Sequence, residues 1–178
     1  QGDINYRQVI SGGFDLNHGI AILNTGATIQ NAHYALNNFA SINGGIDWVK
    51  LGGGIIQCNG ANFINCQKGA NFLPYTNFIM SGTTKIVLAD RSSFINCTFK
   101  TDATLNPANG FSPEVGISMW QTKGVTIRGN TFINNTPNTY QISNRGLGIG
   151  TYDASFNCNI TPNNFTNLFY NFKKLHFK

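Results

Sequence analysis

Hydrophobic and polar residues alternate in a short unit that is clearest at residues 123–135, KGVTIRGNTFINN. Val125 and Ile127 alternate with polar neighbours, which is typical of a short, half-buried strand. A Gly-Asn pair then predicts a turn, and Phe132 places an aromatic side chain back on the buried side. The unit therefore predicts a short strand, a tight turn and a second inward-facing position.

The same unit recurs along most of the chain. Downstream, CNITPNNFTN aligns with it without a gap, and upstream SSFINCTFKT, ANFINCQKG and ATIQNAHY follow the same pattern. The aligned hydrophobic anchors are spaced by 34, 31, 33 and 33 residues: Ile29, Phe63, Phe94, Ile127 and Ile160. A period in this range indicates a solenoid, here of about five coils.

A second strand-like segment precedes each anchor: GIAIL, GIIQC, KIVLA, GISMW and GIGTY. Each repeat is thus predicted to hold two or three short strands separated by Gly, Asn and Ser turns. Ala, Leu, Glu and Lys are scarce where Asn, Gly, Thr, Ile and Phe are plentiful, which disfavours helical repeats of similar length. The predicted fold is all-β, a parallel solenoid in which each coil stacks in register on the next.

These repeats resemble the right-handed parallel β-helix superfamily, which includes pectate-lyase-like folds and bacterial surface β-helix repeat proteins. The resemblance is carried by the Gly-Ile strand starts and by the phrases FINC, FINCTF, NTFINN and NNFTN, which cover roughly Gly19 to Asn171. It implies a right-handed parallel β-helix and, for the enzymes of this fold, activity on polysaccharides.

One repeat running through nearly the whole chain predicts a single domain over residues 1–178 with a continuous, slender core. Residues 1–16 lack the repeat and are predicted to form an N-terminal cap or a strand that leads into the first coil. The coils are predicted over residues 17–167. Residues 168–178 fit both a C-terminal cap and the start of a further coil, and a further coil would make the chain part of a longer solenoid.

Charged residues make up only 11% of the chain, so its polar surface is mostly Asn, Thr, Ser and Gln. Such side chains suit stacked coils, in which like charges would repel. The net charge is +5 and most basic residues are scattered, which disfavours nucleic-acid binding. No apolar run is long enough to span a bilayer, so membrane insertion is not expected. The Asn-rich, Lys-poor composition favours a secreted or cell-surface bacterial protein, alone or within a larger surface protein.

The four cysteines, Cys58, Cys66, Cys97 and Cys158, lack the spacing of metal sites, and no metal or other cofactor is predicted from them. The alignment puts Cys66 and Cys97 at the same turn in successive coils, where in-register stacking holds backbones about 4.8 Å apart. That separation allows a disulfide. The alternative is a ladder of small buried thiols that point in parallel rather than at each other.

Polysaccharide lyases and hydrolases of the resembling fold place carboxylates and a Lys or Arg on one outward face, where they bind calcium or transfer protons. The resemblance therefore implies Ca²⁺ only for a lyase. Asp90 and Asp153 occupy matching places two coils apart, about 9.6 Å, and with Arg128 they are the candidate catalytic residues. The alternative is that both are turn-capping aspartates.

An aromatic strip is the candidate ligand-binding site. Trp120 and Tyr152 take the same place in successive coils. Outward rings spaced by one coil would offer a flat surface to the apolar face of a sugar. Lys123 and Arg128 are predicted to line one side of this strip. The alternative is that both rings close a corner of the core.

Together these patterns favour a binding or adhesive scaffold whose partner is a polysaccharide or a cell-surface glycan. A polysaccharide lyase or glycoside hydrolase of the pectate-lyase-like fold is one alternative, and the scarcity of clustered acids argues against it. A structural segment of a longer adhesin or of a phage tailspike is the other. Function remains a separate inference from fold, because one scaffold hosts many activities.

Overall fold

The computed structural model describes residues 4–5, 14–16, 20–38, 55–73, 75–76, 78–81, 83–87, 92–102, 113–135, 145–152 and 159–175. These residues form short strands joined by turns, and they contain no α-helix. Most of the strands lie in three parallel sheets, which we name A, B and C. The described part of the chain is therefore all-β, as predicted.

Neighbouring strands within each sheet are distant along the chain. Sheet A contains β1 (Ile4–Asn5), β4 (Thr28–Gln30), β7 (Asn62–Ile64), β13 (Thr98–Thr101), β17 (Thr131–Asn134) and β20 (Asn164–Thr166). Sheet B contains β2 (Phe14–Leu16), β5 (Tyr34–Asn38), β8 (Lys68–Phe72), β14 (Val115–Trp120), β18 (Leu147–Tyr152) and β21 (Tyr170–Leu175). Sheet C contains β3 (Ile20–Leu23), β6 (Ile55–Asn59), β12 (Ser92–Ile95), β16 (Val125–Arg128) and β19 (Asn159–Ile160).

Four further strands lie outside these sheets. The short strands β9 (Tyr75–Thr76) and β15 (Thr122–Lys123) pair in parallel. The strands β10 (Phe78–Ser81) and β11 (Thr84–Val87) form an antiparallel hairpin. The hairpin is inserted between β8 of sheet B and β12 of sheet C.

The chain visits the three sheets in a fixed cycle. Strands β3, β4 and β5 belong to sheets C, A and B, and the same order repeats for β6–β8, β12–β14, β16–β18 and β19–β21. We call each such set of three strands a coil. The described residues contain five complete coils preceded by β1 and β2, an arrangement compatible with a parallel β-helix. Residues 170–175, which belong to the segment predicted as a C-terminal cap or the start of a further coil, form the last strand of the fifth coil.

A column of phenylalanines runs through the core on the inner side of sheet A. Its members are register partners on successive strands: Phe63, Phe99, Phe132 and Phe165. Their ring centroids are 4.7, 4.7 and 5.1 Å apart, and successive planes are within 12° of parallel. Ile29 continues the column into the first coil. Because each stacked pair adds about 0.5–1.5 kcal/mol beyond the area it buries, the column ties the coils into one core.

Glycines in sheet B leave room for this column. A Cβ atom at Gly69 would lie 2.5 Å from the ring of Phe99, and one at Gly116 would lie 2.6 Å from the ring of Phe132. The equivalent glycine of β18 meets the next ring in the same way. Because real side chains do not approach so closely, these positions need glycine. This packing explains the Gly-Ile sequences that open β14 and β18.

Amide side chains form hydrogen bonds along the stack at the corner between sheets C and A. The buried Asn130 side chain donates to Oδ1 of Asn163 at 2.9 Å and to the carbonyl of Phe94 at 2.9 Å. Its own Oδ1 accepts from the backbone N–H of Cys97 at 2.8 Å. One amide thus joins three successive coils.

The predicted alignment of Phe63 with Phe94, the anchors of successive repeats, is wrong. Phe63 lies in sheet A and Phe94 in sheet C, and the partner of Phe63 in the next coil is Phe99. The spacing across this coil, from residue 63 to residue 99, is therefore 36 residues instead of 31. The phrase FINC occurs at both places, and Asn65 and Asn96 adopt nearly the same positive φ, 53° and 52°. Asparagine tolerates this conformation, so two different corners share one local sequence and one local geometry.

The predicted stacking of Cys66 on Cys97 is wrong for the same reason. Cys97 lies at the corner between sheets C and A, directly before β13, whereas Cys66 follows β7 at the corner between sheets A and B. Both thiols are buried and free, as is that of Cys58. Neither a disulfide nor a thiol ladder therefore joins Cys66 to Cys97. Cys158 lies outside the described residues.

Candidate functional site

A groove opens on the outer face of sheet B. Along β14 the side chains of Ile117 and Met119 are buried in the core, whereas Ser118 and Trp120 line the groove. This is the alternation expected of a strand with one face in the core. The groove has a volume of about 420 Å³ and crosses four coils, from β5 to β18. A volume in this range is typical of small-molecule sites.

Trp120 and Tyr152 form the aromatic end of the groove. They are register partners at the ends of β14 and β18. Trp120 is 46% exposed, and Tyr152 is half-buried. Gly150 lies under the Tyr152 ring, where a Cβ atom would be 3.5 Å from Cε2 of that ring, an ordinary contact distance. The two residues therefore lie side by side in adjacent coils, and Trp120 is open to solvent rather than closing the core.

Two hydrogen bonds hold the backbone where β14 ends. The N–H of Gln121 donates to the carbonyl of Tyr152 at 3.0 Å, and the hydroxyl of Thr122 donates to the carbonyl of Trp120 at 3.1 Å. Gln121 has a positive φ of 46°, which turns the chain sharply after Trp120. The turn thus ends β14 directly after Trp120.

An ion pair occupies the opposite end of the groove. The Nζ atom of Lys68 lies 3.1 Å from Oε2 of Glu114 and 5.0 Å from the centroid of the Tyr34 ring. Tyr34 and Lys68 are register partners on β5 and β8. Glu114 directly precedes β14, and its N–H donates to the carbonyl of Gln67 at 3.0 Å. The ammonium group is therefore held by a carboxylate and by an aromatic face, both of which favour a cation.

Polar side chains lie between the two ends of the groove. Asn71 and Ser118 are register partners on β8 and β14. The Asn71 side chain donates to Oδ1 of Asn37 at 2.9 Å, which fixes its orientation. Leu73 and Leu147 add apolar surface to the lining. The groove thus combines an exposed indole, an ion pair and a fixed amide, a set that suits a polyhydroxylated ligand.

The other predicted site residues are not part of this lining. Lys123 is half-buried in β15, where it pairs with Thr76 of β9. Arg128 is exposed at the end of β16 in sheet C. The structure therefore brings neither basic residue into the groove. Asp90 and Asp153 lie outside the described residues, so their catalytic roles stay predictions.

The buried thiols are poor nucleophiles. Burial raises the pKa of the Cys66 thiol from 9.0 to about 11, and hydrogen bonds with the backbone at Ala32 and Ile64 lower it only in part. Burial also raises the pKa of Cys97 and that of Cys58, and the neighbouring Cys97 thiol adds to the effect at Cys58. A raised pKa keeps each thiol protonated near neutral pH, and the thiolate is the nucleophilic form.

Two further properties concern only the ranges that the structure describes. Within them, no three His, Cys, Asp or Glu side chains come together as the ligands of a metal ion. No helix in the same ranges has the length and apolar character needed to cross a membrane.

Tyr34, Lys68 and Glu114 line the groove but were not predicted as site residues from the sequence. Lys68 follows Tyr34 by 34 residues, one repeat, and this spacing is a signal that could have placed the two together. Glu114 has no such signal, because an irregular polar stretch precedes it and breaks the repeat. Only the folded chain brings its carboxylate to Lys68.

No protein-family model matches this chain, and neither does a curated protein or a solved structure. The function of the groove is therefore inferred from its own residues. These are an exposed indole, a phenol in register with it, an ion pair and a fixed amide.

Proposed function

We propose that this chain is a right-handed parallel β-helix that binds glycans in the groove of sheet B. The cyclic order of strands through sheets C, A and B supports a succession of helical coils. Connections between parallel strands of one sheet are right-handed in nearly all proteins, which supports the handedness. The stacking of Phe99 on Phe132 in adjacent coils supports the same arrangement.

The observation that carries the binding proposal is the register pairing of exposed Trp120 with Tyr152 inside a groove. A sugar presents an apolar ring face and a rim of hydroxyl groups. Aromatic side chains suit the ring face, and amides and charged groups suit the hydroxyls. The two aromatic residues supply the first kind of surface, and Asn71 with the Lys68–Glu114 pair supplies the second. A glycan therefore matches the groove better than a wholly apolar ligand.

The proposed setting is the bacterial cell surface or the secreted fraction, where the protein adheres to a polysaccharide or a cell-surface glycan. The low content of charged residues and the Asn-rich surface support this setting. The resemblance to bacterial surface β-helix repeats supports it as well. In this proposal binding uses the side chains of the groove and needs no metal ion.

A glycan array combined with a polysaccharide-depolymerisation assay tests the proposal. Wild type is expected to bind at least one glycan, and Trp120→Ala is expected to weaken that binding by about tenfold or more, as for an aromatic anchor of a binding surface. Ile22→Ala is the matched control, because Ile22 is also large and exposed, at 61%, but lies on β3 in sheet C. This control is expected to bind like wild type.

The remaining outcomes of the two assays would each support a different function. Equal binding by wild type and Trp120→Ala would exclude the groove as the glycan site. New reducing ends or unsaturated products that disappear in Asp153→Ala would instead identify a polysaccharide hydrolase or lyase. Silence in both assays would favour a structural segment of a longer adhesin or tailspike.

A further inference from the structure

The groove is electrically balanced although the chain is basic. The net charge of the chain is +5. Among the described residues that line the groove, the charged side chains are Lys68 and Glu114, which pair at 3.1 Å. Building on the proposed function, we infer that the groove selects uncharged glycans and that Glu114 discriminates against acidic ones.

Lys68 already has favourable contacts on two sides. Its ammonium group is paired with Glu114 and lies 5.0 Å from the centroid of the Tyr34 ring. A carboxylate or sulfate group that approached Lys68 would also approach Glu114, and like charges a few ångströms apart repel each other even at a wet surface. An acidic ligand must therefore displace Glu114 or tolerate its repulsion.

A hydroxyl group meets no such opposition. It can donate to the carboxylate of Glu114, whose side chain is 46% exposed, and accept from the ammonium group of Lys68. Hydrogen bonds to charged groups are stronger than those between neutral groups. The ion pair thus serves as a polar anchor for the hydroxyls of a neutral sugar, at the opposite end of the groove from Trp120 and Tyr152.

The test compares ligands that share a backbone and differ in charge. Cello-, manno- and galacto-oligosaccharides and their C6-oxidised, carboxylate-bearing forms are titrated against the full chain by calorimetry, at low and at physiological salt. Neutral and acidic glycans that bind on the array are included. Wild type is expected to bind the neutral form at least about fivefold more tightly than its oxidised counterpart. The affinity for the neutral form is expected not to depend on salt.

Two variants test the cause of this preference. Glu114→Gln leaves Lys68 without its counter-charge, so the affinity for C6-oxidised oligosaccharides is expected to rise roughly fivefold and to become sensitive to salt. The affinity for the neutral forms is expected to change by less than about threefold, because glutamine still accepts a hydrogen bond. Lys100→Gln changes the net charge on sheet A, outside the groove, and is expected to leave the preference unaltered.

Equal or tighter binding of the oxidised forms by wild type would overturn the inference. So would an unchanged preference in Glu114→Gln. The proposed function is judged separately by Trp120→Ala: if this substitution abolishes binding of neutral and oxidised forms alike while Glu114→Gln leaves the preference unchanged, the groove is a glycan site but its charge preference lies elsewhere. Failure of wild type to bind any glycan would overturn both.

Discussion

Phe99 and Phe132 form a parallel stack in adjacent coils, with ring centroids 4.7 Å apart and planes 8° apart. They are register partners on β13 and β17, so the pairing of the strands places the two rings against each other. Phe132 also stacks on Phe165 on its other side. The same ring therefore contributes to two stacks and links three coils.

Phe132→Ala is expected to lower the free energy of unfolding by about 3–5 kcal/mol, because Phe132 is only 1% exposed and its loss leaves a cavity between two rings. Phe165→Ala is the comparison, since Phe165 is half-buried and ends the described column. Its cost is expected to be clearly smaller. Urea denaturation followed by circular dichroism measures both, and equal losses would contradict the account of the column.

Asn130→Ala is expected to cost about 2–3 kcal/mol, because it leaves the N–H of Cys97 and the carbonyl of Phe94 without their present partner. Asn24→Ala is a suitable control, since Asn24 is exposed at a turn in the first coil. The control is expected to stay within about 0.5 kcal/mol of wild type. A similar denaturation midpoint for the two variants would show that the buried amide does not join the coils.

Gly116→Ala and Gly150→Ala compare two glycines of sheet B that face opposite ways. The new Cβ at Gly116 would lie 2.6 Å from the ring of Phe132, so a destabilisation of about 1–3 kcal/mol is expected. At Gly150 the nearest atom is 3.5 Å away, an ordinary contact, and a change within about 0.5 kcal/mol is expected. The melting temperatures of the two variants, measured by thermal unfolding, test this difference. Equal melting temperatures would mean that the phenylalanine column does not need the glycines.

The Cys66 thiol makes the free energy of unfolding depend on pH in the alkaline range. Below pH 9.0 this thiol is protonated in both states, and between pH 9.0 and about 11 it ionises in the unfolded chain but not in the folded one, because burial raises its folded-state pKa. Unfolding then releases a proton, so the free energy of unfolding falls as pH rises, on the order of 2 kcal/mol by pH 11. Urea titrations of wild type and Cys66→Ala from pH 8 to 11 measure the difference. Parallel curves for the two proteins would contradict the shift.

Trp120 should report ligand binding directly. In a Trp48→Phe background it is the only tryptophan of the chain. Because the indole is 46% exposed, a glycan that covers it is expected to shift its fluorescence to shorter wavelength and to reduce quenching by acrylamide. The measurement uses the tightest oligosaccharide from the array at saturation. An unchanged spectrum there would place the ligand away from the indole.

The later coils show how much of the strand register the local sequence pattern can predict. The predicted alignments of Ile127 with Ile160 and of Phe132 with Phe165 are confirmed as register pairs. The alignment of Phe63 with Phe94 fails, because the identical phrase FINC forms a similar asparagine turn at two different corners. Local sequence specifies such a turn, but it does not specify which two sheets the turn connects.

The two halves of the groove also differ in how far the sequence could predict them. The repeat alone placed Trp120 and Tyr152 in register. It did not place Glu114 beside Lys68, because the two residues are joined by a connection longer than the regular repeat, and their contact depends on how that connection returns the chain to sheet B. The aromatic half of the candidate site was therefore accessible from sequence, and the charged half was not.

The sequence by itself determined that this chain forms short strands with asparagine and glycine turns at a period near 33 residues. These features follow from backbone preferences and from the burial of alternate side chains, which act over a few residues. Only the tertiary structure decided which sheet each strand joins, that Cys66 and Cys97 lie apart, and that an ion pair faces the exposed tryptophan across one groove. Those outcomes depend on pairing between residues about 30 to 50 positions apart, and nothing in the local pattern of either partner specifies the other.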